Sequence, residues 1–371
     1  VQELHERFPH VDVFMPPSDP RPLLQLLADR GLVHAADTNA ATMPLCDYLG
    51  TAAHRLPAES QTHGHVTGFV SAVLGCSHGC AYCIIPARRG RERSRPPADV
   101  VAEAEALADQ GVREITLLGQ IVDRYGVDLP GHVSLPTLLR RLHAVPGLAR
   151  IRFLTSHPAY VSDELIRTAA ELDKVCPHWE LPLQAGNDQV LERMRRGYTN
   201  ADFRRVIDRI RAAQPEAAIN TDVIVGFCGE TDAQFMDTVN TLSDIQFDMV
   251  HIARYSPRPQ TAAARHYDDT VTDEDKRARQ HRLEELQQSI QLTRNRQLTG
   301  RTVDVLVEGR KKGKWYGRTP QNRLVFCADG RRLQGELVRV RVAHAGANSL
   351  VGAVVEPQPS AREEAIHSCT P

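Results

Sequence analysis

The chain has 371 residues, with 45 Lys and Arg set against 46 Asp and Glu for a net charge of −1. That length predicts two or three domains, and a charge so near zero gives no global sign of a nucleic-acid coat or a membrane-surface protein. No apolar run reaches the roughly 18 residues of a membrane span, and eight cysteines fit a reducing compartment, the cytoplasm, better than a disulfide scaffold.

In chain order, residues 1–8 pattern as a helix, 11–14 as a short strand and 22–30 as a second helix. The first element begins mid-pattern, so residues 1–45 read as the remnant of an α/β domain, followed by a linker over 46–64. From 65 onward strands and helices alternate. Strands are expected at 66–74, 114–118, 150–155, 178–183, 218–225 and 247–253. Helices are expected at 98–110, 135–143, 162–172, 189–195, 201–213 and 231–245, with Asp163, Asn200 and Glu230-Thr231 near their starts. Six strand-then-helix units predict a parallel sheet with helices outside, closed into a partial (β/α)6 barrel. Ligands of such folds sit beyond the carboxyl ends of the strands.

Directly after the first strand comes Gly75-Cys76-Ser77-His78-Gly79-Cys80-Ala81-Tyr82-Cys83. Three thiolates in one short loop can hold three irons of a [4Fe–4S] cluster and leave the fourth open to an exchangeable molecule. Zinc is the competing reading, with His78 as the only local fourth ligand, and one short loop would have to wrap a tetrahedron around it. Three structural thiols are the other alternative, opposed by Gly75 and Gly79, which mark a loop rather than a packed element.

A charge-rich helix over 273–299 leads out of this domain, its Glu284 and Glu285 reading as a solvated face. Residues 301–356 then switch to strand alternation at 303–307, 324–326, 337–342 and 350–355, predicting a small OB-like barrel of four or five strands. That segment carries eleven Lys and Arg against five Asp and Glu, a net charge of +6 within a neutral chain, which points to a polyanion such as RNA. Incidental surface charge is the alternative. Residues 358–371 read as a disordered tail.

The ordered motifs resemble one family. They are the cysteine loop with Arg88-Arg89-Gly90-Arg91-Glu92-Arg93-Ser94-Arg95-Pro96, then Leu117-Leu118-Gly119-Gln120, Thr155-Ser156-His157-Pro158, Leu181-Pro182-Leu183-Gln184-Ala185-Gly186-Asn187-Asp188, Arg195-Arg196-Gly197-Tyr198-Thr199, Thr221-Asp222-Val223-Ile224-Val225-Gly226-Phe227 with Gly229-Glu230-Thr231, and Tyr255-Ser256-Pro257-Arg258-Pro259. Together they are similar to the methylthiotransferases, radical S-adenosylmethionine (SAM) enzymes that replace a C–H with C–SCH3. The resemblance implies a radical SAM domain over 65–297 and an RNA-binding TRAM domain over 298–357.

It further implies a cluster on Cys76, Cys80 and Cys83, and SAM contacts from Tyr82, Gln120, Ser156, Gln184, Arg195 and Asp222. A tRNA substrate would meet Lys311, Lys312, Lys314, Arg318 and Arg323, and the run from Arg88 to Arg95 reads either as further phosphate contacts near the mouth or as a solvated loop. An electron donor such as flavodoxin or ferredoxin and a monomeric state are also implied. The nearest branch methylthiolates C2 of N6-isopentenyladenosine at position 37 of tRNA; sister branches act on a ribosomal-protein aspartate or on threonylcarbamoyladenosine. A third reading, from another class, is an RNA-binding protein with a structural cluster. Two departures stand out. Cys228 occupies a usual proline position. The three further cysteines that bind the family's auxiliary cluster have no counterpart, since Cys46, Cys176, Cys327 and Cys369 fit no such pattern. One cluster, reductive SAM cleavage and no sulfur transfer are the corresponding expectations for this chain.

Overall fold

The computed structural model describes residues 2–14, 21–31 and 65–355. Residues 15–20 and 32–45 of the expected remnant, the expected linker 46–64, the expected tail 358–371, Cys46 and Cys369 lie outside the described residues. The first two described stretches hold helices Gln2–Arg7 and Arg21–Asp29. The strand expected at 11–14 does not form, because an extended segment counts as a strand only when a partner completes its ladder, and no described residue pairs with it.

The main domain contains strands β1 (Thr67–Ser71), β2 (Val73–Leu74), β3 (Arg93–Ser94), β4 (Glu114–Leu118), β5 (Arg150–Phe153), β6 (His178–Glu180), β7 (Ala218–Val225) and β8 (Met249–Arg254). β1, β4 and β5 pair in parallel, as do β6, β7 and β8, and a parallel bridge from Ile151 to Val175 joins the two groups. The six long-range strands therefore neighbour one another in chain order. No described pairing links β1 to β8, so the partial barrel is open on that side.

Helices Pro97–Asp109, Leu135–His143, Asp163–Glu171, Asp188–Arg193, Asn200–Ala213 and Asp232–Ile245 cover the outer face. Their starts are set by Ser134, Ser162, Asn187, Thr199 and Thr231, whose side chains accept from backbone N–H groups of the first turn. Side chains alternate along each strand. One set (Ile115, Leu117, Ile151, Phe153, Trp179, Ile219 and Val223) packs beneath Leu138, Leu142, Phe203, Ile207 and Leu242 of the helices. The other set lines the lumen and is polar: Glu114, Arg150, Arg152, His178, Glu180, Asn220, Asp222 and His251.

Helix Asp273–Arg296, with Glu284 and Glu285 exposed as expected, connects to the second domain. There β9 (Thr302–Lys311), β10 (Lys314–Arg318), β11 (Leu324–Ala328), β12 (Leu337–Ala345) and β13 (Leu350–Val355) form a closed barrel in the order β10-β11-β13-β12-β9. β11 and β13 are parallel and the other pairs antiparallel, the Greek-key arrangement of an OB-like barrel. Its core is Val305, Val307, Trp315, Val325, Cys327, Val340, Val342 and Leu350. A Cβ at Gly317 would lie 2.0 Å from the Leu306 carbonyl oxygen, so the bulge that turns β10 against β9 demands glycine there.

The small barrel docks under the lumen of the large one. Arg150 donates to the Arg318 carbonyl at 2.6 Å, and Arg152 donates to those of Pro320 and Thr319 at 2.7 and 2.8 Å. Glu114 accepts from Arg152 at 2.8 Å and lies 3.9 Å from Arg150, offsetting one of the two buried positive charges.

Candidate active site

The cysteine loop lies at the carboxyl ends of the strands, held in the β2–β3 hairpin. Gly75 has φ +68, and a Cβ there would sit 2.3 Å from the Arg91 carbonyl oxygen, so glycine lets the loop close onto 90–91, where the Cys76 N–H donates to the Gly90 carbonyl at 3.1 Å. Cys76 is buried and Cys80 and Cys83 half-buried. Burial pushes the thiols of Cys76 and Cys83 up. Burial acts on Cys80 in the same sense, but hydrogen bonding from His78 and the charge of Arg196 outweigh it and bring this thiol below its ordinary value. Arg196, itself 4% exposed, donates to Cys80 Sγ at 3.1 Å.

Among the described residues no three His, Cys, Asp or Glu side chains converge on a single ion. A mononuclear zinc site needs such convergence, whereas a [4Fe–4S] cluster takes one thiolate per iron and wants its sulfurs apart. Three free thiols on one short loop match the thiolate-per-iron donor set of a [4Fe–4S] cluster. Cys176 lies beside Arg152 and Glu114, Cys228 beside Tyr255, and Cys327 in the small-barrel core, so these three buried thiols are dispersed.

Around the loop, the segments that follow β5 and β6 carry buried polar atoms without partners. They are Ser156 Oγ, Gln184 Oε1 and His157 Nε2. Buried polar groups are nearly always satisfied, so three orphans beside one loop mark a place for a polar ligand, and hydroxyl, amide and imidazole suit the hydroxyls and ammonium of SAM. The backbone ties these segments together: Ser156 N–H donates to the Glu180 carbonyl, and Gln184, at φ 70, donates to that of Asp222. Burial brings His157 down to about 2, with Arg196 and His78 acting in the same direction, so its ring is neutral. Asp222 is half-buried on the lumen face, its carboxyl raised by burial against the opposing pull of His251 and Arg196. Tyr82 is half-buried against Phe227, and Gln120 half-buried in the turn after β4.

Of the six expected SAM contacts, Ser156, Gln184, Asp222 and Tyr82 come together here. Arg195 does not. Its φ of 58 turns the chain, leaving Arg195 exposed and sending Arg196 inward to Cys80, Tyr198 and the Pro182 carbonyl. Arg196 was missed by sequence reasoning; the only hint was its place two residues before Tyr198, whose hydroxyl needs partners when buried.

In the small barrel, Lys311, Lys312 and Lys314 are exposed around a two-residue turn in which Lys312 and Gly313 both have positive φ. Arg318 is half-buried and paired with Glu308 at 3.4 Å. Arg323 is a correction to the expected RNA contacts, being bound to Asp248 and Asn295 of the large domain, where Arg294 also pairs with Asp248. It pins the two domains and is not presented to a phosphate. Arg95 is likewise buried, tied to Glu103 and the Ser71 carbonyl, so the basic run meets solvent only up to Arg93.

Residues 70–242 match the radical SAM superfamily and residues 296–355 the TRAM domain. The chain is similar to proteins named tRNA-2-methylthio-N(6)-dimethylallyladenosine synthase. That of Chloroflexus aurantiacus is 49% identical over 300 residues, covering 80% of this chain and 64% of that protein. That of Roseiflexus sp. is 49% identical over 80% of this chain and 63% of its own length. That of Dehalococcoides mccartyi is 45% identical over 78% of this chain and 70% of its own length. The chain thus spans just under two thirds of the first two relatives.

Proposed function

The chain belongs to the radical SAM methylthiotransferase family, and from that premise we propose that it serves C2 methylthiolation of N6-isopentenyladenosine at position 37 of tRNA. The observation that carries the reading is the joint presence of a three-cysteine loop with orphaned polar atoms around it and a basic, TRAM-type barrel docked beneath the same lumen.

Membership implies a [4Fe–4S] cluster and SAM. When bound, that pair supplies reductive cleavage of SAM and, with it, abstraction of a hydrogen atom from the target. Cys76, Cys80 and Cys83 hold the cluster. His78 and Arg196 favour the thiolate of Cys80, and Arg196 ties the loop to the segment after β6. Ser156 and Gln184 after β5 and β6, and Asp222 on the lumen face of β7, orient SAM, with Tyr82 beside them and Gln120 in the turn after β4. Lys311, Lys312 and Lys314 position the RNA through its phosphates, which fixes register without reading sequence. Among the described residues, the dispersed Cys176, Cys228 and Cys327 offer no second cluster site. The protein works as a monomer in the cytoplasm with a small electron-transfer protein as donor; among the described residues no helix is long and apolar enough to cross a membrane.

Iron and sulfide analysis after anaerobic reconstitution tests the cluster count, with about four irons expected and about eight contradicting it. Mass spectrometry of nucleosides from a deletion strain tests the substrate. Loss of 2-methylthio-N6-isopentenyladenosine is expected, and loss of a threonylcarbamoyladenosine derivative instead would move the chain to the sister branch.

A further inference from the structure

Among the described residues the buried arginines are Arg95, Arg150, Arg152, Arg196 and Arg279. All but one face a carboxylate within ion-pair reach. Arg95 meets Glu103, Arg150 and Arg152 share Glu114 at 3.9 and 2.8 Å, and Arg279 meets Glu230 at 3.0 Å. Arg196, at 4% exposure, is the exception. Its guanidinium donates to the Tyr198 hydroxyl at 3.1 Å, the Pro182 carbonyl at 3.3 Å and Cys80 Sγ at 3.1 Å. Asp222 feels the charge of Arg196 without pairing to it.

Taking a charge out of water is costly unless an opposite charge faces it, so buried charges in folded proteins are paired. The ionisable groups that act most on Arg196 are Tyr198, Tyr82 and Cys80. Burial raises both tyrosines above their ordinary range, so their rings stay neutral. The opposite charge must therefore come from the cysteine loop.

The arginine is also fixed in place. The φ of 58 at Arg195 turns it inward, and Tyr198, which receives its Nε hydrogen, donates in turn to the Pro182 and Leu183 carbonyls at 2.8 and 2.9 Å. Two residues back, the Met194 carbonyl accepts from the Ala81 N–H at 2.9 Å, so backbone and side chain both lace this segment to the loop.

Three thiolates outweigh the positive charge of an oxidised [4Fe–4S] core, and an added electron makes the assembly more negative still. A fixed cation beside it stabilises the reduced form more than the oxidised one, which raises the reduction potential. Net charge and hydrogen bonds to sulfur are both levers on that potential. Arg196 supplies the two together.

We propose that Arg196 is the counter-charge of the cluster and holds its reduction potential up, easing entry of the single electron on which SAM cleavage depends. This rests on the cluster reading above and goes beyond it. The three cysteines decide whether iron is bound, whereas Arg196 decides how readily the bound cluster takes an electron.

The test uses the full chain, reconstituted anaerobically with iron and sulfide. Its midpoint potential is read by mediator titration with electron paramagnetic resonance, SAM being left out so that its carboxylate cannot stand in. Arg196→Gln removes the charge and keeps an amide donor. Its reduction equilibrium is expected to fall by at least about 10-fold, the effect of a nearby buried charge, or about 59 mV for a one-electron couple. Arg196→Lys keeps the charge and is expected to restore most of that loss. Tyr198→Phe loosens the arginine without discharging it, and is expected to lower the thermal midpoint with little change in potential. A Gln variant with the potential of the unaltered chain, or a Lys variant shifted as far as Gln, overturns the proposal. Should Arg196→Gln assemble no cluster, iron content restored in Arg196→Lys sustains the charge role, and iron still missing there overturns it. An unaltered chain that takes up no [4Fe–4S] cluster overturns the cluster reading itself, and the proposal with it.

Discussion

The two barrels of this chain are built inside out with respect to each other. The small one is closed, fills its interior with Val305, Val307, Val325, Val340 and Leu350, and turns its charges outward at Lys311, Lys312 and Lys314. The large one is open, puts its apolar residues outside beneath the helices, and lines its lumen with Glu114, Arg150, Arg152, His178, Glu180 and Asn220. Parallel sheets covered on both faces usually run apolar throughout, so a polar inner face is a departure that needs a reason. The lower half of the lumen is explained by docking, since Arg150 and Arg152 spend their donors on small-barrel carbonyls. The upper half is not, and it faces the candidate cofactor shell around Ser156, Gln184 and Asp222. The contrast separates roles: the small barrel's interior serves stability and its exterior binding, whereas the large barrel's interior serves both.

The largest expected effect lies in the loop. Cys76→Ala, Cys80→Ala or Cys83→Ala should each abolish iron binding and the brown absorbance of the reconstituted chain. Cys327→Ala, inside the closed barrel, should keep the full iron content and lose only stability, as a buried side chain truncated in a packed core. Iron assay of the four variants checks this, and iron loss in Cys327→Ala would break the division of roles.

Next comes the floor of the lumen. Glu114→Ala strands Arg150 and Arg152, which are 5% and 3% exposed, without their carboxylate. Breaking a buried charge pair costs about 3–5 kcal/mol, to be read as a lower urea midpoint. The same variant should loosen the small barrel, seen as faster proteolysis between the domains. A cost below about 1 kcal/mol would mean that the carbonyls alone hold the two arginines.

Much of this architecture was legible in the chain because the large barrel's outer face is apolar at every second residue. β4, β7 and helix Leu135–His143 fall at their expected bounds for that reason. The actual helix caps, Ser162 and Thr199, lie one residue before the acidic and amide residues expected to mark those starts, because a hydroxyl reaches the third-residue N–H directly. β10 escaped notice: Lys314 and Arg318 are charged, Gly317 lacks a side chain, and its strand character comes from barrel closure. Arg196 and Arg323 were illegible for a shared cause. Which of two neighbouring arginines turns inward depends on one positive φ, and whether a barrel arginine meets RNA or Asp248 depends on how the domains dock.

A smaller effect sharpens the contrast through pH. Burial raises Glu180 to about 7 from the ordinary 4.5, reinforced by the Asp222 charge and opposed by the Asn220 hydrogen bond, with His251 3.8 Å away. The folded chain then holds a proton that the unfolded chain has released, so stability falls as pH rises from about 4.5 to about 7 and levels off above. Glu180→Gln should remove part of that decline, on the order of 1–3 kcal/mol across the window. Asp222 and Asp123, also raised by burial, keep a residual slope. Urea midpoints at a series of pH values decide it, and parallel curves for the two proteins would show that Glu180 ionises freely.

The smallest effect belongs to the exterior of the closed barrel. Lys312 stands at the tip of the β9–β10 turn, exposed and, among the described residues, with no carboxylate paired to it, at φ 50 next to Gly313 at φ 81. Lys312→Glu should leave the urea midpoint within about 0.5 kcal/mol, since an exposed substitution away from caps and cores rarely costs more. Its effect should appear only with RNA. Each neutralised phosphate releases condensed counterions, which adds about 0.7–0.9 to the slope of log affinity against log salt. Removing one such contact should flatten that slope by about that amount and weaken prenylated and unprenylated stem–loops to the same degree. Equal loss on both RNAs follows from a phosphate contact that cannot see the base. A loss confined to the prenylated RNA would place base selection on the small barrel's outside, and the inside-out division between the two barrels would fail.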